Sequence, residues 1–265
     1  MLLVEAAPAK VNLFLHVGAL AVDGYHPVCS LMTFADLGDE LRLADADTPG
    51  FSVDGPFAAG LEGEGNLVLK ARDAVDLRLG GLPAFHLALT KSLPVASGVG
   101  GGSADAAAAL RLLRRRLKPD WPDSVWAALA LDLGSDVPAC LDSRPCLAEG
   151  RGERLSAPPA FRPLNVVLVN PGVAVSTGRV FAEFDARPAP GDLEAEGGPA
   201  SADFDDVITW LGRQRNDLEA PAVALAPVIS RTLETLRAAP ETALARLSGS
   251  GATCFALCRT AAAAA

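Results

Sequence analysis

The stretch Pro94-Val95-Ala96-Ser97-Gly98-Val99-Gly100-Gly101-Gly102-Ser103-Ala104-Asp105 constrains this chain more than any other. Four glycines and two serines lie directly ahead of Ala106–Arg116, in which every residue favours helix. Glycine lets backbone N–H groups approach a ligand closely and adopt positive φ. A helix N-terminus adds unpaired donors and about half a unit of positive charge. Together these features make a phosphate cradle. The same pattern also fits a flexible linker or a tight turn before a helix.

Familiar phosphate loops can be tested against it. A Walker-type loop ends in Gly-Lys-Ser/Thr, and the chain contains no Gly-Lys pair. A dinucleotide fingerprint requires glycine where Ser103 stands and a strand immediately upstream, whereas the strand-like run Ala84–Leu89 ends before Pro94. Neither His-Arg-Asp nor Asp-Phe-Gly occurs, which excludes the protein-kinase pattern. The net charge of −9 and pI of about 4.8 argue against a nucleic-acid partner held through its phosphates. An anionic ligand must then be held by loop amides and a few lysines and arginines. No apolar run approaches the roughly 20 residues of a membrane span, and no signal-peptide pattern opens the chain. No membrane partner is expected. The five cysteines include no Cys-x-x-Cys and there are three histidines, so no metal site is expected among the side chains. Buried reduced thiols and a cytoplasmic location are the expectation.

With 265 residues, half of them hydrophobic, the chain can bury a large core as one domain or two. Its first ninety residues read as strands and turns, with alternation over Leu13–Val17, an Asp23-Gly24 turn, and strands at Val28–Phe34 and Glu40–Leu43. Asn66 is placed to cap a helix at Leu67–Leu79, and Ala84–Leu89 returns to strand. Helices are predicted at Ser103–Arg116 and Pro122–Leu133, and a buried strand at Leu164–Val169. Asp185–Ala202, rich in Ala, Gly, Pro and acids, reads as a loop or disordered insertion. Helices at Asp205–Arg213 and Ala220–Ala238 and a strand near Cys254–Cys258 follow, then a frayed tail at Ala261–Ala265. Strands and helices mix without βαβ regularity, so the fold class is α+β.

Three further segments bring polar groups to such a protein. Lys10 interrupts the apolar run Ala7–Leu13; it faces a cleft or counter-charge, or snorkels at the surface. Asp136 lies in Gly134-Ser135-Asp136-Val137-Pro138, between a helix end and an apolar turn, where capping is the alternative role. Ser248-Gly249-Ser250-Gly251 forms a second Gly/Ser loop, or else a hairpin or bulge.

Taken in order, the Lys10 strand, the Pro-x(3)-Gly-x-Gly-Gly-Gly-Ser loop and the Ser-Gly-Ser-Gly loop resemble the three signatures of the GHMP small-molecule kinases. Pro8–Leu13, Asp23-Gly24-Tyr25-His26, Gly134–Pro138, Gly150-Arg151-Gly152-Glu153, Pro171-Gly172-Val173 and Arg215–Glu219 resemble the branch whose substrate is methylerythritol joined to cytidine diphosphate. The likeness covers nearly the whole chain. It departs at Ser103-Ala104, where the family has Ser-Ser, at Ala96-Ser97, where another glycine is common, and in the longer Asp185–Ala202 insertion.

The resemblance implies two α+β lobes with the active site in the cleft between them. Residues 1–156 would form the nucleotide-binding lobe, 157–260 the substrate-side lobe and 261–265 a tail. It implies ATP and Mg²⁺ as cofactors, and phosphorylation of the 2-hydroxyl of the methylerythritol moiety in the non-mevalonate route to isoprenoid precursors. ATP would lie on Pro94, Val95, Ala96, Ser97, Gly98, Val99, Gly100, Gly101, Gly102 and Ser103. Asp136 would accept or orient the hydroxyl proton, with Lys10 fixing Asp136 and stabilising developing charge. Tyr25 and His26 would take the cytosine, Thr177 and Phe181 its second face, and Asn12, Ser250 and Gly251 would complete the substrate site. Asn12 is expected to need a bend in the strand to act beside Lys10. His16 and His86 are read as structural, and the chain as a monomer or homodimer. Homoserine, galactose or mevalonate kinase activity, or a nucleotide-binding protein without catalysis, are the competing readings.

Overall fold

The computed structural model describes residues 1–63, 65–188 and 191–264. Its elements are, in chain order, β1 (Leu2–Val17), β2 (Val28–Asp45), β3 (Gly50–Asp54), α1 (Leu67–Leu79), β4 (Phe85–Thr90), α2 (Gly101–Leu117), α3 (Asp123–Leu133), α4 (Val137–Asp142), β5 (Cys146–Gly150) and β6 (Arg154–Ser156). They continue with β7 (Asn165–Val169), α5 (Thr177–Asp185), α6 (Phe204–Arg213), α7 (Glu219–Leu225), α8 (Val228–Ala238), β8 (Thr242–Leu247), β9 (Cys254–Cys258) and α9 (Ala261–Ala264). Helices and strands mix as the α+β reading expects.

The chain forms two compact units, each discontinuous in sequence. The first is Met1–Lys10, Phe34–Val95 and Gly100–Arg144. Here the second half of β2 pairs antiparallel with β4, Leu41 opposite Leu89 and Leu43 opposite Leu87, and β3 lies parallel to β4. Helices α1 to α4 complete the unit. Asn66 accepts the Val68 N–H at 2.9 Å and starts α1, which ends on Gly80 with φ 78°. The face of α2 from Ala104 to Leu113 is almost wholly buried, packed with Val68, Val75, Leu87 and Trp126. Its run of alanines keeps the helix slim enough to sit that close.

The second unit is Val11–Thr33, Ala96–Val99 and Pro145–Ala265. The first half of β2 pairs antiparallel with β5, and β5 with β6. A separate three-stranded antiparallel sheet has the order β7-β9-β8. One core cluster joins Phe14, Leu31, Trp210 and Phe255, and another joins Val180, Phe184, Ile229, Leu233 and Leu247. Arg246 is buried on β8 and donates to the carbonyls of Leu13, Leu211 and Gln214 at 2.7 to 2.9 Å. Two of those carbonyls lie at the end of α6, where a cation is favoured.

Several expectations need correction. Ala220–Ala238 is two helices: Pro227 removes a backbone donor and forces Ala226 to φ −141°, ψ 83°, between α7 and α8. The apolar turn after Asp136 is the first turn of α4, with Pro138 tolerated there because its missing N–H has no intrahelical partner. Ala261–Ala264 is helical rather than frayed, and Ala265 lies outside the described residues. In Asp185–Ala202, Ala189 and Pro190 also lie outside them. Past the end of α5, the described remainder of that insertion has no helix or strand, yet its backbone is tied down. His16 meets the Leu193 carbonyl at 3.0 Å, and Trp210 donates to that of Glu196 at 2.8 Å. Asn12 needs no bend, because a period of two places residues 10 and 12 on one face of β1.

Candidate active site

In the first unit, Lys10 is an ammonium buried in a strand whose neighbours Ala9 and Val11 are fully enclosed. Burying a charge this deeply requires a counter-charge. It has one: Asp136 Oδ2 lies 3.0 Å from Lys10 Nζ, with the lysine side chain 5% exposed and the aspartate 33%. Asp136 stands immediately before α4, with no side-chain capping bond of its own, so the carboxylate is turned to the lysine rather than spent on the helix. Gly100 completes the group. A Cβ there would sit 3.0 Å from Lys10 Cε and 4.0 Å from Asp136 Oδ2. With φ 65° it also occupies the left-handed region that glycine tolerates. The N-terminus of α2 therefore opens against the Lys10–Asp136 pair. Among the described residues no side chain caps α2, and a helix start of that kind suits an anion.

Behind this helix end lies a buried ionic cluster that the sequence reading did not single out. Lys91 Nζ bonds Asp39 and, at 2.6 Å, Asp105 on α2. Asp39 Oδ1 accepts the N–H groups of Ser92 and Leu93 at 2.6 and 2.8 Å. The cluster thus pins both the approach to the glycine loop and the first turn of α2. Two carboxylates share one ammonium, and Asp105 Oδ1 has no hydrogen-bond partner among the described residues. Burial pushes the Asp105 carboxyl up to about 7, against the pull of Lys91.

In the second unit, the segment Ala96–Val99 is held by the Ser248–Gly251 loop and its flank. Thr253 donates its N–H to the Ser97 carbonyl at 2.9 Å, and Ser248 Oγ donates to that of Gly98 at 3.0 Å. A Cβ on Gly98 (φ 78°) would come within 2.5 Å of the Ser248 carbonyl oxygen, so no side chain fits. Ala96 adopts φ 50°, an uncommon conformation for alanine. Asn12 donates its N–H to Ser248 Oγ at 3.2 Å and its amide to Ser30 Oγ at 2.7 Å. The second Gly/Ser loop is itself braced: Asn216 donates to the carbonyls of Leu247 and Gly249, both at 2.8 Å, and Glu219 accepts the Leu247 N–H at 3.0 Å.

The residues expected around a base fall into two groups within this unit. His26 stacks on Phe181 with centroids 5.1 Å apart, meets Phe184 edge-on, and lies 3.3 Å from Asp185. Its Nδ1 faces the Gly18 carbonyl at 2.9 Å. Tyr25, 54% exposed, carries the Arg151 guanidinium over its ring at 4.2 Å, and Arg151 is paired with Asp23. Thr177 Oγ1 is 2.9 Å from Ser250 Oγ, at the start of α5, and Gly251 donates its N–H to the Ser248 carbonyl at 3.0 Å within the Gly/Ser turn. Phe181 stacks on His26 and also packs against the unit's core. His16 and His86 make hydrogen bonds to the Leu193 carbonyl and to Ser52 Oγ. Among the described residues no disulfide links the five buried cysteines, and no group of three or more His, Cys, Asp or Glu is placed to hold a metal. No helix among them is long and apolar enough to cross a membrane.

Lys91, Asp39, Asn216, Glu219 and Arg151 were not assigned roles from sequence. Arg151 and Arg215–Glu219 were visible as family segments, and Asp105 as an acid among alanines. Asp39 gave no signal, because its partner lies 52 residues away.

Similarity to known proteins agrees with this arrangement. Residues 66–144 match the family described as GHMP kinases N terminal domain, and residues 200–265 match GHMP kinases C terminal. The 4-diphosphocytidyl-2-C-methyl-D-erythritol kinase of Caulobacter sp. (strain K31) is 54% identical over 259 residues, spanning 95% of this chain and 87% of that protein. The enzyme of the same name from Rhizobium etli (strain CIAT 652) is 47% identical, spanning 97% and 86%. A crystal structure of 4-(cytidine 5'-diphospho)-2C-methyl-D-erythritol kinase superposes with a TM-score of 0.80 at 32% identity, covering 98% of this chain and 92% of that one. Homoserine kinase from Cytophaga hutchinsonii shares the fold, with a TM-score of 0.69 at 19% identity over 98% and 86%. The chain belongs to the GHMP kinases, and within them to the family of the 4-diphosphocytidyl-2-C-methyl-D-erythritol kinases.

The buried cluster makes stability pH-dependent with a definite sign. The Asp105 carboxyl titrates higher in the folded protein, at about 7, than its ordinary 3.8. The folded state then binds more protons across that window, so stability falls as the pH rises from about 4 to about 7. Asp105→Asn removes this contribution. Thermal melts across that range should fall less steeply for the variant than for the parent; parallel curves would show that Asp105 does not titrate there.

Proposed function

We propose that the chain transfers the γ-phosphoryl group of ATP to the 2-hydroxyl of 4-diphosphocytidyl-2-C-methyl-D-erythritol. The observation that carries this reading is the Lys10–Asp136 pair, 3.0 Å apart, against the uncapped N-terminus of α2. The hydroxyl oxygen forms a bond to Pγ as the bond from Pγ to the β,γ-bridging oxygen breaks, and ADP leaves. Asp136 accepts or orients the hydroxyl proton, and Lys10 holds that carboxylate in place and offsets charge that builds on the phosphoryl oxygens. Phosphoryl transfer depends on positioning and charge stabilisation more than on covalent catalysis, and this pair supplies both.

In this reading the backbone from Pro94 to Ser103 cradles the ATP phosphates. Mg²⁺ binds chiefly through substrate phosphates and water with one or two carboxylates. The donor set fits that mode: Asp136, 4.0 Å from where a Cβ on Gly100 would stand, and Ser103, at the third position of α2, would hold the ion, and among the described residues no dedicated cage is built for it. When bound, the ion would neutralise phosphate charge. Tyr25, His26, Thr177 and Phe181 take the cytidyl end, and Asn12, Ser250 and Gly251 line the substrate side. The nucleotide-handling residues fall within 1–156, and 157–260 contributes to the substrate side. A cytoplasmic setting suits the five buried thiols.

Asp136→Asn keeps the shape of the side chain and removes its charge and basicity. Turnover should fall about 10²–10⁴-fold, the range for loss of a general base, with both substrates bound within a few-fold of the parent. Lys10→Ala should also be slow, and the double variant little worse than the slower single one, because the two act as a unit. Intact turnover per folded molecule in Asp136→Asn would sink the mechanism.

The cradle and the base site have their own tests. Gly100→Val forces a side chain into left-handed backbone and against Lys10, so calorimetry should show ATP affinity collapsing while the fold persists. Unchanged affinity would remove the cradle. Tyr25→Ala should weaken the cytidyl substrate by about 1–3 kcal/mol, as for a base–aromatic stack, and leave the KM for ATP nearly unmoved. Equal losses for both substrates would make Tyr25 structural.

A further inference from the structure

The distance between Lys10 and Asp136 joins two elements far apart in sequence, β1 and α4. Neither holds the other in place by itself. Helix α4 has six residues, too few to be stable alone, and no side chain caps its start. Within the same unit, one side chain reaches both elements. Arg111, on the third turn of α2, donates from Nη2 to the Ala6 carbonyl at 2.7 Å and from Nε to Glu5 Oε2 at 3.1 Å, both on β1. Its Nη1 donates to the carbonyls of Cys140 and Leu141 at 2.7 and 3.2 Å, in the last turn of α4. The guanidinium fork suits such bridging: it is planar, permanently charged and fixes several acceptors in one plane. A cation is also favoured at the C-terminal end of a helix.

We infer that Arg111 is a positioning residue for phosphoryl transfer, setting the Lys10–Asp136 geometry by tying β1 and α4 to the helix whose N-terminus forms the phosphate cradle. This rests on the assignment of Asp136 as the catalytic carboxylate. Arg111 bonds β1 four residues before Lys10 and α4 four and five residues after Asp136. Its own helix begins at Gly101, beside Gly100, which touches the pair. The three parts of the proposed site are thus referred to one guanidinium. Glu5 is held in turn by Arg115 one turn further along α2, which keeps the β1 end from drifting.

The test is a set of kinetic measurements on the full chain with ATP and 4-diphosphocytidyl-2-C-methyl-D-erythritol, normalised to folded protein. Arg111→Met keeps the apolar stem and removes the fork. It should lower kcat about 10- to 100-fold, the scale of a misplacement near one ångström, with both KM values within about twofold. Arg111→Lys keeps the charge but cannot reach both elements in one plane, so it should fall between the two; it also serves where the methionine variant folds poorly. The same substitutions in the Asp136→Asn background should change turnover by no more than about twofold, because the group being positioned is already disabled. Losses of equal size in both backgrounds would overturn the proposal and make Arg111 a general support of the fold. So would an unchanged kcat in either Arg111 variant. Full activity of Asp136→Asn alone would instead overturn the catalytic assignment on which the proposal stands, so the two failures are distinguishable.

Discussion

A lysine ammonium enclosed in the middle of a strand is the constraint around which the first unit is arranged. Lys10 sits between Ala9 and Val11, both fully buried, and its charge cannot remain there without a carboxylate at hydrogen-bond distance. That requirement fixes where α4 must begin, because Asp136 stands just before its first turn. It also limits what can lie alongside. Gly100 passes so close to the lysine that any Cβ would crowd its stem. The residue that lets the chain turn into α2 is therefore also the one that lets the helix end meet the ion pair. An interaction that would be a costly way to stabilise a core acquires a purpose, in the proposed reaction, from its place beside the N-terminus of α2.

The glycine loop owes its shape to different means on its different stretches. Approaching α2 it is held by charge: Asp39 accepts the N–H groups of Ser92 and Leu93, and Lys91 joins Asp39 to Asp105. Over Ala96–Val99 it is held by neutral backbone bonds from Ser248 and Thr253. The second Gly/Ser loop thus acts on the first by fixing its carbonyls. Asn216 and Glu219 fix that second loop in turn, so the Arg215–Glu219 segment supports the loop from one step further back. Rigid backbone donors need no reorganisation when charge shifts during transfer, which is the property electrostatic catalysis requires.

Much of the fold could be read locally because its signals are local. Asn66 and Gly80 bracket α1 by capping chemistry, and the strand expected near Cys254–Cys258 is β9. The three segments proposed for the site were marked by residue type (glycines before a helix, a lysine in an apolar strand, an acid beside a helix end), and only the family resemblance assigned them a common role. The elements that escaped notice are those whose identity comes from their partners. β8, which has no β-branched residue after Thr242, is a strand because β9 pairs with it. The α7–α8 break, by contrast, was readable at Pro227 and is a matter of backbone chemistry. Asp39 and Arg111 act across 52 and more than 100 residues of sequence respectively, and no spacing rule connects such positions.

The charge pattern resolves an apparent conflict between an acidic chain and an anionic ligand. With a net charge of −9, phosphate binding was expected to rely on loop amides together with a few lysines and arginines. In the proposed site the weight shifts towards the amides. Lys10 is paired with Asp136, and Lys91 is shared by Asp39 and Asp105, so the buried lysines beside α2 are matched by carboxylates. A side-chain ammonium compensated in this way attracts a phosphate less than an isolated one. Among the described residues no side chain caps the start of α2, so its N–H dipoles are the other positive feature there. In the proposed transfer Lys10 would act in the step in which negative charge grows and moves, where a cation held by a neighbouring acid can respond without being saturated beforehand by the ground-state ligand.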